Sequence, residues 1–378
     1  MKIKRSPGLP RGFFIDPESP TALILRPIGL LAGAVAQQAI STDRAWRLVG
    51  GPLVFGALEV FLCRHDVVEI VDVTVSKLEE WAADEGGETA ARVMAQKNAL
   101  SQPRPPFAGL ALDRPRVMGV VNVTPDSFYD GGRLMTVDQA VNHGRALQEA
   151  GADILDIGGE STRPGSECVS EQEEIDRVAP VVEQLAAEGA LVSVDTRRAS
   201  VMRIACAAGA RIINDVSALA DPGSMAVVAD TGAAVILMHM QGTPRNMQDN
   251  PAYDHAPFQI MKSLMSRVAA CEAAGIGLGN IAIDPGIGFG KSVGHNLEII
   301  EQLSLFHAAG TAVMVGASRK SFIGAVANEI KADDRLPGSL AAATMATSQG
   351  VQLFRVHDVA ETRQAISIAY ACLNSASR

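Results

Sequence analysis

Residues 281–291 read IAIDPGIGFGK. Ile281, Ala282 and Ile283 predict a short buried strand. Asp284 ends it on a charge, and Pro285 opens a glycine-rich run. A strand that closes on a carboxylate and breaks into glycines has the character of the C-terminal rim of an α/β barrel. There, strand ends carry chemistry and loops approach a ligand closely. Read alone, the stretch is equally a strand-to-helix connection in which Asp284 caps a turn. What decides between the two is that the pattern recurs.

From Val117 onward, strand and helix signals alternate eight times. The strands are predicted at Val117–Val123, Ile154–Gly158, Leu191–Asp195, Ile212–Val216, Ala234–Met240, Ile281–Asp284, Ala312–Ala317 and Leu353–Val356. Each is short and almost continuously apolar, as parallel strands covered on both faces should be. Ser170 precedes Glu173 at capping-box spacing and predicts a helix to about Glu188. Gly151, Gly189, Gly209, Gly232, Gly275, Gly310 and Gly350 each end a helical stretch. Eight such units predict a (β/α)8 TIM barrel over residues 116–378, with a doubly wound open sheet as the alternative.

The first hundred residues read differently. Ala22–Leu31, Leu53–Leu62 and Val67–Val75 lean towards strand, Gly50-Gly51-Pro52 towards turn, and Ser76–Ala83 and Glu88–Leu100 towards helix. Residues 1–100 are therefore expected to form a small α+β module. It shows no catalytic constellation, and its expected role is to cap the barrel bottom or to mediate oligomer contacts. Residues 101–115, with Pro103, Pro105, Pro106 and Pro115, read as a linker or an extended packing arm.

A net charge of −9 argues against a general nucleic-acid binder. The five cysteines are scattered, with no zinc-like spacing, and read as reduced thiols of a cytoplasmic protein. Met1–Arg5 is basic and Thr21–Ala36 largely apolar, but Arg26-Pro27 interrupts the run, so a signal peptide is not expected. No run of eighteen apolar residues predicts a membrane span.

Polar groups stand at or just past nearly every strand end: Asn122; Glu160, Thr162 and Arg163; Asp195; Asn214; His239; Asp284; Lys320; Arg355 and His357. Capping explains any one of them but not the whole series. The loop Asn122–Gly132, NVTPDSFYDGG, begins on an amide that can coordinate a hard cation or hold a phosphate oxygen. In ESTRPGS, residues 160–166, Arg163 is a planar donor for phosphate or carboxylate. Asp195, Asn214 and Asp284 offer acceptors to the paired N–H donors of a guanidine-like heterocycle. Burial could instead raise one of these carboxyls into an acid–base role. Arg355 and His357, two apart on a strand, face one way and suggest an anionic phosphate, as do the loops after the last two strands of many barrels. There is no Walker loop, GxGxxG, HExxH or GxSxG.

These motifs resemble those of the dihydropteroate synthases, of the pterin-binding barrel family. The matching stretches, in order, are VMGVVNVTPDSFYDGG, DILDIGGESTRPGS, SVDTRR, IINDVSA, LMHMQGTP, IDPGIGFGK, VGASRKSFIG and FRVHDV. The resemblance implies condensation of 6-hydroxymethyl-7,8-dihydropterin diphosphate with 4-aminobenzoate, giving dihydropteroate and pyrophosphate. It implies that Asp195, Asn214, Asp284 and Lys320 hold the pterin, with Met240 and Phe289 on its faces. Asn122, Arg355 and His357, with Thr162 or Arg163, would hold the diphosphate and Mg2+, Asn122 as the metal ligand. Phe128, Pro164 and Ser321 would wall the aminobenzoate pocket. Asp195, Lys320, Arg355 and His357 are the expected catalytic residues. The resemblance further implies a homodimer, a sulfonamide target, and no nucleic-acid or membrane partner. Three readings compete: a pterin-dependent methyltransferase, a pterin-binding relative without turnover, and the same reaction on a modified aryl amine. The N-terminal module departs from the family's short form.

Overall fold

The computed structural model describes residues 1–13, 15–16, 19–124, 135–161, 169–328 and 331–375. Phe128, Thr162, Arg163 and Pro164, expected at the site, lie outside these residues.

The N-terminal module contains β1 (Lys2–Ser6), β2 (Leu23–Ile28), α1 (Gly33–Ser41), β3 (Trp46–Arg47), β4 (Val54–Phe55), β5 (Ala57–Arg64), β6 (Val67–Thr74), α2 (Val75–Glu85) and α3 (Gly87–Ser101). Its main sheet has the order β1-β6-β5-β2, with β1 parallel to β6 and the other pairs antiparallel. β1 and α1 were not anticipated: Lys2–Ser6 is mostly polar, and its pairing partner β6 lies sixty residues away in sequence. A strand edge needs cover, and edge strand β2 packs against the 3-10 turn Leu303–Ala309. Pro27 sits in this edge strand, where its missing N–H is tolerated, and its carbonyl accepts from Ser304 Oγ at 2.8 Å. Gln96 fastens the same seam. It accepts from Leu25 N–H and donates to the Ala308 carbonyl, each at 3.1 Å.

The barrel strands are β7 (Arg116–Asn122), β8 (Ile154–Gly158), β9 (Val192–Asp195), β10 (Ile212–Asp215), β11 (Ala234–Met238), β12 (Ile281–Asp284), β13 (Ala312–Val315) and β14 (Leu353–Val356). They are all parallel and closed, β14 pairing with β7. Around them lie α4 (Val137–Glu149), α5 (Glu171–Ala187), α6 (Ala199–Ala207), α7 (Ser224–Thr231), α8 (Ala256–Ala273), α9 (Val293–Glu301), α10 (Ser321–Ala327), α11 (Leu336–Thr347) and α12 (Val359–Leu373). At the start of α5, Ser170 Oγ accepts from Glu173 N–H. The reciprocal half of the expected box is diverted, because the Glu173 carboxylate pairs with Arg177.

The module packs on the barrel flank. Phe61 of β5 stacks on Phe258 of α8 with centroids 5.2 Å apart and planes 10° from parallel. Arg26 joins Glu59 within the module to Glu301 of α9 at 2.6 and 2.7 Å. The barrel bottom is closed instead by the proline-rich arm. Phe107 and Ala108 cluster with Met118, Ile154, Ile212, Ile236, Met314 and Leu353. Thus the arm supplies the plug that the sequence suggested the module might provide, and Phe107, fully buried, is its centre.

Candidate active site

Alternation along the strands turns Asp156 of β8, Asn214 of β10 and Arg355 of β14 into the barrel mouth. They meet there. Arg355 Nε donates to Asp156 Oδ2 at 2.6 Å and its Nη2 to Asp195 Oδ2 at 2.6 Å. Asn214 Nδ2 donates to the same Asp156 oxygen at 3.0 Å. Asp156 is fully buried and its Oδ1 has no hydrogen-bond partner. This carboxylate was missed. Its signal in the sequence is a lone charge inside the apolar strand ILDIG, away from the strand ends.

Burial pushes Asp195 above the ordinary carboxyl range, Arg355 opposes this, and Asp156 adds to it. Arg355 is held in its charged form: the two carboxylates outweigh its burial. Two acids around one guanidinium leave a net acceptor character beneath the rim.

Asp284 lies 4% exposed at the end of β12. Its Oδ1 accepts from Gly286 N–H at 2.7 Å. Burial raises its pKa, against the pull of that bond and of Lys320. The glycines that follow are required sterically. A Cβ on Gly286 would stand 2.0 Å from the His239 carbonyl oxygen, and one on Gly290 2.5 Å from that of Gln241. Lys291 locks this loop, donating to Phe289 O at 2.8 Å and His239 O at 3.1 Å. Burial lowers Lys291 to about 7 and, with Lys291 alongside, His239 to about 3. His239 is therefore a neutral strut between loops.

Gly316 leaves open floor between acid and base. A Cβ there would sit 3.7 Å from Arg355 Cβ and 3.8 Å from Asp284 Oδ2. Above this floor is a cavity of about 510 Å³ lined by, among others, Asn122, Asp195, Phe289, Lys320, Arg355 and His357. Ser321 also lines it, as do Met247 and Gln248. The Lys320 ammonium stands 4.0 Å above the Phe289 ring, a cation–π contact. His357 Nδ1 is 3.0 Å from Ser318 Oγ, which also accepts from His357 N–H. Burial and the neighbouring Arg355, Arg319 and Lys320 push His357 down to about 3. It is thus a neutral hydrogen-bonding group.

Asn214 and Asp284 do not line the cavity: Asn214 reaches it through Asp156 and Arg355, and Asp284 borders Gly316, which lines it. Met240 does not line the cavity; Met247, farther along the same loop, does. Arg198 bonds Glu160 at 3.0 Å and the Val169 carbonyl at 2.7 Å, tying together the residues that flank 162–168. Arg198 also pairs with buried Glu174.

Among the described residues no three His, Cys, Asp or Glu side chains could together hold a metal. A softer criterion suits Mg2+, which takes few protein ligands and completes its shell with water and substrate phosphate. A Cβ on Gly158 would be 3.5 Å from Asn122 Oδ1 and 3.9 Å from Asp195 Oδ2, so two hard oxygens converge over bare backbone. The donor set fits such an ion.

The profile of the pterin binding enzyme family matches residues 118–357. The dihydropteroate synthase of Escherichia coli K12 is 45% identical over 267 residues, covering 70% of this chain and 94% of that protein. The Yersinia pestis dihydropteroate synthase, solved with a sulfonamide drug, is 48% identical with a TM-score of 0.67, covering 70% of this chain and 96% of that one. The Xanthomonas albilineans enzyme, solved with 7,8-dihydropteroate, is 46% identical with a TM-score of 0.65, covering 71% and 98%. By its motifs, its barrel and these relatives, the chain belongs to the dihydropteroate synthases among the pterin-binding enzymes.

Proposed function

We infer that this chain condenses 6-hydroxymethyl-7,8-dihydropterin diphosphate with 4-aminobenzoate, releasing pyrophosphate and 7,8-dihydropteroate. The observation that carries the residue assignment is the convergence of Asn122, Asp195, Lys320, Arg355 and His357 on one rim cavity. Asp284 and Asn214, beneath it, would accept from and donate to a pterin edge. Both are buried, and in a water-poor site each such bond discriminates strongly against a ligand that lacks it. Burial works against the ionised form of Asp284, whereas amino-pyrimidine donors, like the Gly286 N–H and Lys320, would favour it. Phe289 and Lys320, already stacked, offer an apolar face and a charge to the same ring.

Arg355 spends Nε and Nη2 on Asp156 and Asp195, and its Nη1 has no partner among the described residues. That nitrogen, with His357, would receive diphosphate oxygens. As the C–O bond breaks, negative charge gathers on the leaving group, and preorganised donors stabilise it. Bound Mg2+, held by Asn122 and Asp195, would supply further neutralisation of the diphosphate. Asp195 would steady the cationic methylene carbon, and the aryl amine, neutral at pH 7, needs no strong base. We place the enzyme in the cytoplasm as a homodimer. Sulfonamides, as amine mimics, are expected to compete with aminobenzoate.

Mass spectrometry of the reaction mixture tests this reading. Dihydropteroate formed from both substrates, and reduced by chelation of Mg2+, is the expected result. Product only with a ribosylated or otherwise modified amine would move the chain to a different pathway.

A further inference from the structure

A second cavity, of about 330 Å³, lies at the other end of the barrel. Its lining includes Pro115 and Gln352, which immediately precede β7 and β14, so it sits where these strands begin. Four segments build it: the module loop 48–53, the arm 103–115, the stretch 347–352 and the end of α12. Leu48, Leu53, Leu112, Val351 and Leu373 make its walls apolar.

Three charged residues interrupt these walls: Asp113, Arg114 and Arg104. Arg104 Nη2 donates to the His307 carbonyl at 2.9 Å, and its sealed Nε has no acceptor. No carboxylate pairs with it among the described residues. The nearby acids are engaged elsewhere, Asp113 with Arg116 and Asp153 with Arg114 and Arg116. His307 gives no negative charge, being buried and neutral. Burial lowers Arg104 to about 10. A guanidinium taken from water without a counter-ion is costly, and an anion supplied from outside would relieve that cost. Nη1 has no partner among the described residues and is not among the sealed atoms, so it keeps accessible surface with which to meet such an anion.

We propose that this cavity binds a small apolar carboxylate, its acid group on Arg104 and its body against the leucines. Arg114, which also lines the cavity, is committed to Asp153, and the apolar walls select against phosphate, which would leave most of its oxygens facing hydrocarbon. The occupant touches module, arm and barrel at once, so its binding free energy adds to the cohesion of all three.

The test is calorimetric titration of the full chain with 2-naphthoate, its catalytic cavity saturated with dihydropteroate. The neutral isostere 2-naphthamide serves as comparison. Saturable naphthoate binding is expected, at least about tenfold weaker for naphthamide and for Arg104→Gln, as for loss of a charge-assisted bond. Leu112→Trp, which fills the cavity without touching Arg104, should abolish it. The wild-type melting midpoint should rise with naphthoate, and that of a folded Arg104→Gln should not. Absent binding, equal binding of acid and amide, or binding unchanged in both variants would overturn the proposal. Neither variant touches the catalytic rim, so failure here and failure of the proposed reaction are separately visible.

Discussion

The two ends of this barrel solve opposite problems with the same eight strands. At the strand C-termini, Asp156, Asp195, Asn214, Asp284 and Arg355 are buried or nearly so, as a network of ions and amides. At the N-terminal end, Phe107 and Ala108 seal a layer of Met118, Ile154, Ile212, Met314 and Leu353. A buried ion network is a poor way to gain stability, whereas a buried aromatic is a good one. The difference teaches that the rim is built for a ligand and the plug for cohesion. Substitutions at the two ends should therefore separate activity from stability.

The sharpest way to break this contrast is Arg355→Ala. It should cost about 2–4 kcal/mol of diphosphate affinity, roughly 30- to 1000-fold. It also leaves Asp195 facing Asp156 without a cation, so the stability deficit should shrink in acid, where protonated Asp195 needs no partner. Diphosphate binding by calorimetry and melting between pH 5 and 8 check both arms. Unchanged binding would remove Arg355 from the site.

Next in size is Phe107→Ala. Loss of the buried ring should cost about 3–4 kcal/mol in denaturant unfolding, with kcat of the folded fraction within about twofold. A matching fall in kcat would show the two ends to be coupled.

The contrast is less complete in the histidines. His307 lies near the arm, its Nε2 donating to the Gln349 carbonyl at 2.9 Å, and burial lowers it to about 3. Below about pH 6.5 the unfolded chain takes up a proton that the fold refuses, so stability falls as pH drops towards 3. At pH 5 this amounts to as much as about 2 kcal/mol. His307→Gln should thus close its stability gap to wild type on acidification. Glu174, Asp215 and Asp284, all raised by burial, act in the opposite sense, so only the difference between the two proteins is diagnostic. A gap that is constant from pH 7 to 4.5 would contradict the assignment.

The smallest effect is expected of Ser318→Ala. It removes two contacts of His357, Nδ1 to Ser318 Oγ at 3.0 Å and its N–H to the same oxygen at 3.3 Å, each worth about 0.5–1.5 kcal/mol. A few-fold rise in KM for the pterin diphosphate, with little change for aminobenzoate, would place His357 on the diphosphate side.

Much of this was legible in the sequence because parallel strands covered on both faces leave little tolerance for polar residues except where function needs them. Ile281–Asp284 and Leu353–Val356 have the predicted bounds for that reason. Asp156 escaped notice because its role depends on Arg355, some 200 residues away. Lys291 escaped because nothing local distinguishes a loop-locking lysine from a solvated one. Met247 rather than Met240 at the cavity follows from the path of a loop, which carries no periodicity to read. β1 was hidden in a polar stretch whose only reason to be a strand is β6. The arm's prolines announced an extended segment, but the plug itself is the single apolar pair Phe107-Ala108, too short to register as an element.

The most direct test of the account is pyrophosphate release by the purified full chain. The mixture holds dihydropterin diphosphate and Mg2+, with and without 4-aminobenzoate. Release that depends on the amine, is lost in Arg355→Ala and persists in folded Phe107→Ala is the predicted result. Release without the amine, or equal release by the two variants, would contradict the division of labour between the two ends.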